Sequence, residues 1–257
     1  NVGPEVQLPL TGWGTGGWGA GGWGSGTSSV SALRLWTQSN FGENLLFAYR
    51  GGPIYVWDAA LGVTVRGTNI TAEPGTDGYA PTVQNYMLVT DASRFVMAFG
   101  CNDAVNGSTT QDPMLIAWSD QENPYQWVPA VTNQSGEFRL TNGSYIMCAR
   151  ATRQEILIWT DSCLYSMQYL GPPYIWGFNI LMDNISVMSP NAMITINNVT
   201  YWMGTDKFYM YSGRVETLPC SLRQYIFNDI NKDQSFQVFA GSNEGYNELW
   251  WFYCSTN

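Results

Sequence analysis

From Val30 onward the chain is a succession of short runs rich in Val, Ile, Tyr, Trp and Phe, separated by turn-forming residues, with no sustained helical period. That pattern suits many short strands and little else. The clearest hairpin climbs from Glu155 through Ile158 and Trp159 to a bend at Asp161 and Ser162, then returns through Cys163, Tyr165, Met167 and Tyr169. A second runs from Thr200 through Trp202 to Asp206 and Lys207, and back through Phe208 and Tyr211 to Gly213. Each places an Asp at its bend, where a short carboxylate can accept from backbone N–H groups. Asp120, just after the run from Met114 to Ser119, holds a comparable place. Asp120, Asp161 and Asp206 are therefore read as structural turn residues.

Aligned, these runs form a loose internal repeat of about 40 to 60 residues. Units are expected at roughly 30–71, 79–131, 143–183, 191–223 and 234–257, the last one incomplete. The second unit draws its strands from Tyr86–Asp91, Arg94–Phe99, Met114–Trp118 and Tyr125–Pro129. About four strands per unit is what a propeller blade requires. The expectation is an all-β chain in which residues 30–257 form a β-propeller of about 4–6 blades, each of four antiparallel strands. Closure favours this over an open sheet, since stacked blades leave short protected edges where a flat sheet exposes long ones. A β-sandwich or two small β domains is the alternative.

Residues 1–29 have a different character. The stretch TGWGTGGWGAGGWGSG at 11–26 places Trp13, Trp18 and Trp23 at a five-residue period with little but glycine between them. No regular helix has that period, and glycine so dense is entropically costly in a strand. An irregular Gly/Trp-rich arm is expected. Three large rings on a flexible tether require cover, from the parent domain or from a neighbouring subunit. Trp13, Trp18 and Trp23 are thus candidate assembly contacts.

Chemistry is constrained mostly by what is missing. The chain has no histidine, which removes the commonest general base and zinc ligand together with every Ser-His-Asp or Cys-His triad. Glycoside hydrolysis needs only two carboxylates, but Asp120 with Glu122, or Asp161 with a neighbour, are better read as turn residues. Asp229-Ile-Asn231-Lys-Asp233 copies the start of a calcium loop, then fails at Gln234 where Gly is needed and at Ala240 where a bidentate Glu is needed. There is neither a P-loop nor a helix-opening G-x-G-x-x-G. No catalytic residue, cofactor or metal site is expected, and the chain is read as non-enzymatic.

Twenty acidic against eleven basic residues give a net charge of −9, with only Lys207 and Lys232 as lysines. Without a basic stripe, specific nucleic-acid binding is not expected, although like charge suits a passage through which DNA slides without sticking. Charged residues make up only 12% of the chain, about half the usual share, against 15% aromatic. So few charges imply a surface made largely of Asn, Ser, Thr, Gln and Gly, or else one buried against partners, and the second option fits an assembly subunit.

Cys101, Cys148, Cys163, Cys220 and Cys254 are odd in number and widely spaced, so they are read as free thiols made in a reducing compartment. The sequons at Asn69, Asn106, Asn133, Asn142, Asn184 and Asn198 are attributed to chance in an Asn/Ser/Thr-rich chain. No signal peptide, long apolar run or lipidation motif occurs, so no membrane anchor is expected. The chain opens on Asn1 rather than Met and is expected to be a piece of a longer polypeptide.

The segment Trp118-Ser-Asp-Gln-Glu-Asn-Pro124-Tyr-Gln-Trp127, followed by Ile156 to Asp161, Leu164 to Tyr169 and Ser189 to Ala192, resembles propeller-like virion proteins of tailed bacteriophages. The likeness continues through Tyr201 to Gly204, Phe208 to Tyr211, Gly213-Arg214, Leu218 to Cys220 and Glu248 to Tyr253, and covers roughly residues 110–257. It implies a viral tail protein, a nozzle or neck adaptor acting in DNA ejection, made in the bacterial host cytoplasm and carried in the virion. Its partners would be copies of itself in a homo-oligomeric ring and other tail or neck proteins, with DNA passing through a channel. No catalytic residues come with the resemblance, because the matched segments are turns and strand cores. The alternative function is a receptor- or glycan-binding propeller on the virion, since Trp and Tyr beside Asn and Asp make sugar platforms.

Overall fold

The computed structural model describes residues 33–256 apart from Ala92, and within them the strands fall into four antiparallel four-stranded meanders followed by a hairpin. The first sheet holds β1 (Trp36–Phe41), β2 (Asn44–Tyr49), β3 (Ile54–Trp57) and β4 (Thr68–Asn69). The second holds β5 (Tyr86–Val89), β6 (Val96–Phe99), β7 (Leu115–Trp118) and β8 (Gly136–Arg139). In the third are β9 (Ile146–Ala151), β10 (Ile156–Thr160), β11 (Cys163–Gly171) and β12 (Ile175–Asp183). The fourth comprises β13 (Met193–Ile196), β14 (Val199–Met203), β15 (Phe208–Tyr211) and β16 (Val215–Leu218). A short helix, α1 (Arg223–Asp229), then leads to the hairpin of β17 (Phe239–Asn243) and β18 (Glu248–Phe252). The all-β expectation of successive four-stranded antiparallel sheets therefore holds.

Side chains alternate across each strand, so a strand buried on both faces feeds two different cores. In β6, Val96 and Ala98 join Leu46, Ala48, Ile54 and Val56 of the first sheet, while Met97 and Phe99 face the third. β7 divides in the same way, Leu115 and Ala117 to one side, Ile116 and Trp118 to the other. β10 repeats the pattern one sheet further on: Ile156 and Ile158 pack toward the second sheet, Leu157 and Trp159 toward Trp202 and Phe208 of the fourth. The sheets are thus stacked face to face in chain order, joined by three apolar layers.

One expected strand is placed elsewhere. The fourth strand of the second sheet is Gly136–Arg139, paired with β7, rather than Tyr125–Pro129. Trp127 is buried, its indole N–H donating to the Pro124 carbonyl at 2.9 Å. The backbone N–H groups of Trp127 and Val128 donate to the Asp77 carboxylate at 2.6 and 2.9 Å. A carboxylate satisfies this segment where a neighbouring strand would otherwise be needed.

The sheets of the stack are tied together by Arg50, which follows β2. Its guanidinium donates to the carbonyls of Asn85 at 3.2 Å and Met147 at 2.8 Å, and lies 5.5 Å from the Phe236 ring centroid ahead of β17. Loss of water around it lowers its pKa, opposed by Cys148 and Tyr145. Asn85 adds a bond from its side-chain amide to the Ile146 carbonyl at 3.0 Å. One cation thereby joins the first, second and third sheets and the approach to the hairpin.

Candidate interaction surfaces

The two ends of the stack carry apolar faces that nothing among the described residues covers. On the first sheet, the face opposite Leu46 and Ala48 carries Trp36, Phe47, Tyr49 and Tyr55. Phe47 stacks on Tyr55 at 5.5 Å, Trp36 meets Tyr49 edge-on at 5.5 Å, and the Arg34 guanidinium sits 4.8 Å over Tyr49. Burial raises the Tyr55 phenol, and its bond with Tyr49 adds to the shift. The rings lie against glycines: a Cβ at Gly52 would collide with the Tyr49 ring, and one at Gly67 would come within 2.6 Å of Phe47. The layer is therefore built by sequence on both sides.

The hairpin closes the other end. Trp251 points back into the stack, its ring 5.1 Å from Phe208 and its indole N–H on the Ala192 carbonyl at 3.1 Å. Its outward face carries Phe239, Trp250 and Phe252, which remain 48%, 48% and 44% exposed, beside Trp36 at 51% on the first sheet. Phe239 and Phe252 stack at 4.7 Å.

Between these ends, β1, β5, β9 and β13 are each the leading strand at the edge of its sheet, and all four contribute to one cavity of about 570 Å³. Its wall includes Gln38, Tyr86, Arg150, Arg153, Thr195 and the β13–β14 turn at Asn197 and Asn198. Both Asn residues have positive φ, 50° and 65°, the geometry of a tight two-residue hairpin turn. Burial pushes the Tyr86 phenol up to about 12, with Cys148 adding and the Arg150 guanidinium opposing. A second cleft of about 360 Å³ opens between the third and fourth sheets. There the Glu155 carboxylate accepts from Ser166 Oγ, from the Tyr211 hydroxyl at 2.5 Å and from Gln168 Nε2 at 3.3 Å. Burial, and then the Glu155 carboxylate, hold the Tyr211 phenol above its ordinary range.

The turn residues sit at bends, each with different partners. Asp120 Oδ1 accepts from the backbone N–H groups of Gln121 and Gln134, both at 2.8 Å, and Asp161 Oδ1 from that of Ser144 at 2.7 Å. Asp206 instead meets side chains, the Tyr209 hydroxyl at 3.5 Å and Lys207 at 3.6 Å. Glu122, beside Asp120, has φ 56° and gives its N–H to the Arg94 carbonyl. In the calcium-loop-like stretch, Asn231 caps the following turn through the Asp233 N–H, and Asp229 accepts from the Tyr253 hydroxyl at 3.1 Å. Trp13, Trp18 and Trp23 lie outside the described residues. Cys101, Cys148 and Cys163 are buried, and Cys220 and Cys254 partly so; all five are free thiols. Among the described residues no helix is long and apolar enough to cross a membrane.

Sequence reasoning did not find the cavity or the Glu155 cluster. Arg150, Arg153, Glu155 and Tyr211 are spread over three strands and their flanks, and only strand register brings them near one another. No protein-family model matches the chain, and no curated protein does. A solved structure described as the AfRom2 CNH domain aligns with a TM-score of 0.45 at 7% identity, over 85% of this chain and 64% of that one. The chain therefore spans less than two thirds of that structure.

Proposed function

We propose that the chain is a β-propeller subunit of a tailed-phage virion, in a tail or neck ring of the genome-ejection conduit, acting through assembly contacts and not as an enzyme. The observation that carries the assembly reading is the pair of aromatic faces left open among the described residues at the two ends of the stack. Aromatic rings on a charge-poor surface are the side chains that dominate protein interfaces once desolvated. The convergence of four leading strands on one cavity supports a radial arrangement of blades. The virion setting rests on the likeness of residues 110–257 to phage propeller proteins. Copies of the chain in a ring, neighbouring tail or neck proteins, and DNA crossing the ring without specific binding complete the proposal.

The test is the oligomeric state of the full-length polypeptide by light scattering with negative-stain imaging. Closed rings are expected, and replacing Trp13, Trp18 and Trp23 with Ala should weaken them while the β-sheet circular-dichroism signal persists. A clean monomer at micromolar concentration would overturn the assembly reading. It would favour the second one, a receptor- or glycan-binding propeller, for which the polar cavity and its neighbouring cleft speak.

A further inference from the structure

We propose that the cavity lined by the four leading strands and the cleft beside it form one binding site for an acidic saccharide, its carboxylate seated on Arg150 and Arg153. The two spaces share Thr152 and Asn198 in their walls, so a ligand can occupy both. At about 570 and 360 Å³ they fall in the range of small-ligand sites.

The charge in the cavity runs against that of the molecule. The chain carries −9 overall, yet the cavity wall holds two guanidinium groups and one carboxylate, Asp91. Among the described residues, neither Arg150 nor Arg153 has a carboxylate within ion-pair distance, in contrast to Arg139 with Asp112 at 2.6 Å or Arg214 with Glu216 at 2.5 Å. Arg150, whose guanidinium also bonds the Tyr86 phenol, and Arg153 place two planar forks without a carboxylate partner in a concave wall of a negative molecule, where they attract a carboxylate and hold it with parallel bonds.

The adjoining cleft has the complementary chemistry. Gln154, Asn179 and Asn198 supply amides that both donate and accept, and Glu155 supplies a carboxylate acceptor already steadied by Ser166 and Tyr211. Sugar hydroxyls need both kinds of partner. A bare phosphate would use the arginines and leave the cleft idle, while a neutral sugar would leave the arginines unmatched. A ring bearing one carboxylate and several hydroxyls engages both.

The experiment is isothermal titration of the full chain with glucuronic acid, glucose and inorganic phosphate at one ionic strength. Glucuronate should bind about tenfold more tightly than either of the others, a difference of about 1.4 kcal/mol. R150Q/R153Q should reduce glucuronate binding to the glucose level, and R150K/R153K should keep part of the preference. Gln154→Ala with Asn179→Ala should weaken both sugars and leave phosphate unchanged. The proposal is overturned if glucuronate binds no better than glucose, if R150Q/R153Q leaves its binding unchanged, or if phosphate binds as tightly. The site uses neither aromatic end face, so its failure leaves the assembly reading standing.

Discussion

The second and third sheets, in the middle of the stack, and the first sheet and the hairpin, at its ends, are made from the same kind of strand but end in different surroundings. In the middle, both faces of β6, β7 and β10 are buried, and every residue from Val96 to Phe99 is withdrawn from water. At the ends, the first sheet keeps one dry face, with Leu46, Ala48 and Ile54 fully buried, and the hairpin turns a partly buried face inward, while the outward faces present Trp36 on the first sheet and Phe239, Trp250 and Phe252 on the hairpin, roughly half exposed. An end sheet made only for water would alternate apolar with polar residues. In β2 and β3 aliphatic residues instead alternate with aromatic ones, and the hairpin sets Phe239, Trp250 and Phe252 outward, which is the pattern of a stack prepared for contact beyond its own described strands.

The comparison is broken most severely in the middle. Trp202 is fully buried in the layer between the third and fourth sheets, edge-on to Trp159 at 5.3 Å and stacked on Tyr209 at 5.4 Å. Trp202→Ala should cost about 3–5 kcal/mol through lost burial and the cavity left behind, read as a lower urea midpoint. A change below about 1 kcal/mol would mean that this layer is not continuous core.

Next comes the tie that holds the middle to the ends. Arg50→Gln shortens the reach to the Met147 and Asn85 carbonyls and removes the cation beside Phe236, so a loss of about 1.5–3 kcal/mol is expected in the same unfolding assay. Arg50→Lys should recover only part of this, since both bonds come from Nη1, whose position a lysine ammonium does not reproduce, and the flat guanidinium beside Phe236 is lost.

A smaller effect is expected at the seam between the third and fourth sheets. The Tyr211 phenol is raised in the folded chain, by burial and then by Glu155. A raised folded pKa favours the protonated fold, so this stability is fully present below the ordinary tyrosine value near about 10 and is lost as pH rises beyond it. Tyr211→Phe should flatten the fall in stability above that pH relative to the parent chain. An unchanged slope would show that the Tyr211 phenol is not held above its ordinary range in solution.

Much of this architecture is written in strand chemistry. The hairpin at Glu155–Tyr169 is legible because alternating apolar residues flank an Asp-Ser bend, and in the fold β10 and β11 pair across it. The strand β8 was not legible: Glu137, Phe138 and Arg139 carry almost no apolar signal, whereas Tyr125–Pro129 carries a strong one that Trp127 spends on core packing. The sequons have a local explanation in part. Asn69 accepts from the Thr71 N–H and hydroxyl at 3.1 and 3.0 Å, and Asn133 from the Ser135 hydroxyl at 3.1 Å. An Asn followed two residues later by Ser or Thr is also the spelling of a side-chain-capped turn. The cavity was illegible for another reason, since its arginines acquire meaning only when β9 is set beside β5 and β13.

The smallest effect on stability should come from the ends, and it discriminates most sharply between the two regions. Trp36→Ala and Trp250→Ala each remove a ring that is about half exposed and held mainly by other surface rings. Each should change the stability of the isolated chain by no more than about 1 kcal/mol, far less than Trp202→Ala. Their effect should appear instead in concentration dependence: if the end faces are contact surfaces, these variants shift the assembly midpoint upward while the unfolding midpoint of the dissociated chain barely moves. If Trp36→Ala destabilised the monomer as strongly as Trp202→Ala, the first sheet would belong to the core, and the distinction between middle and ends would collapse.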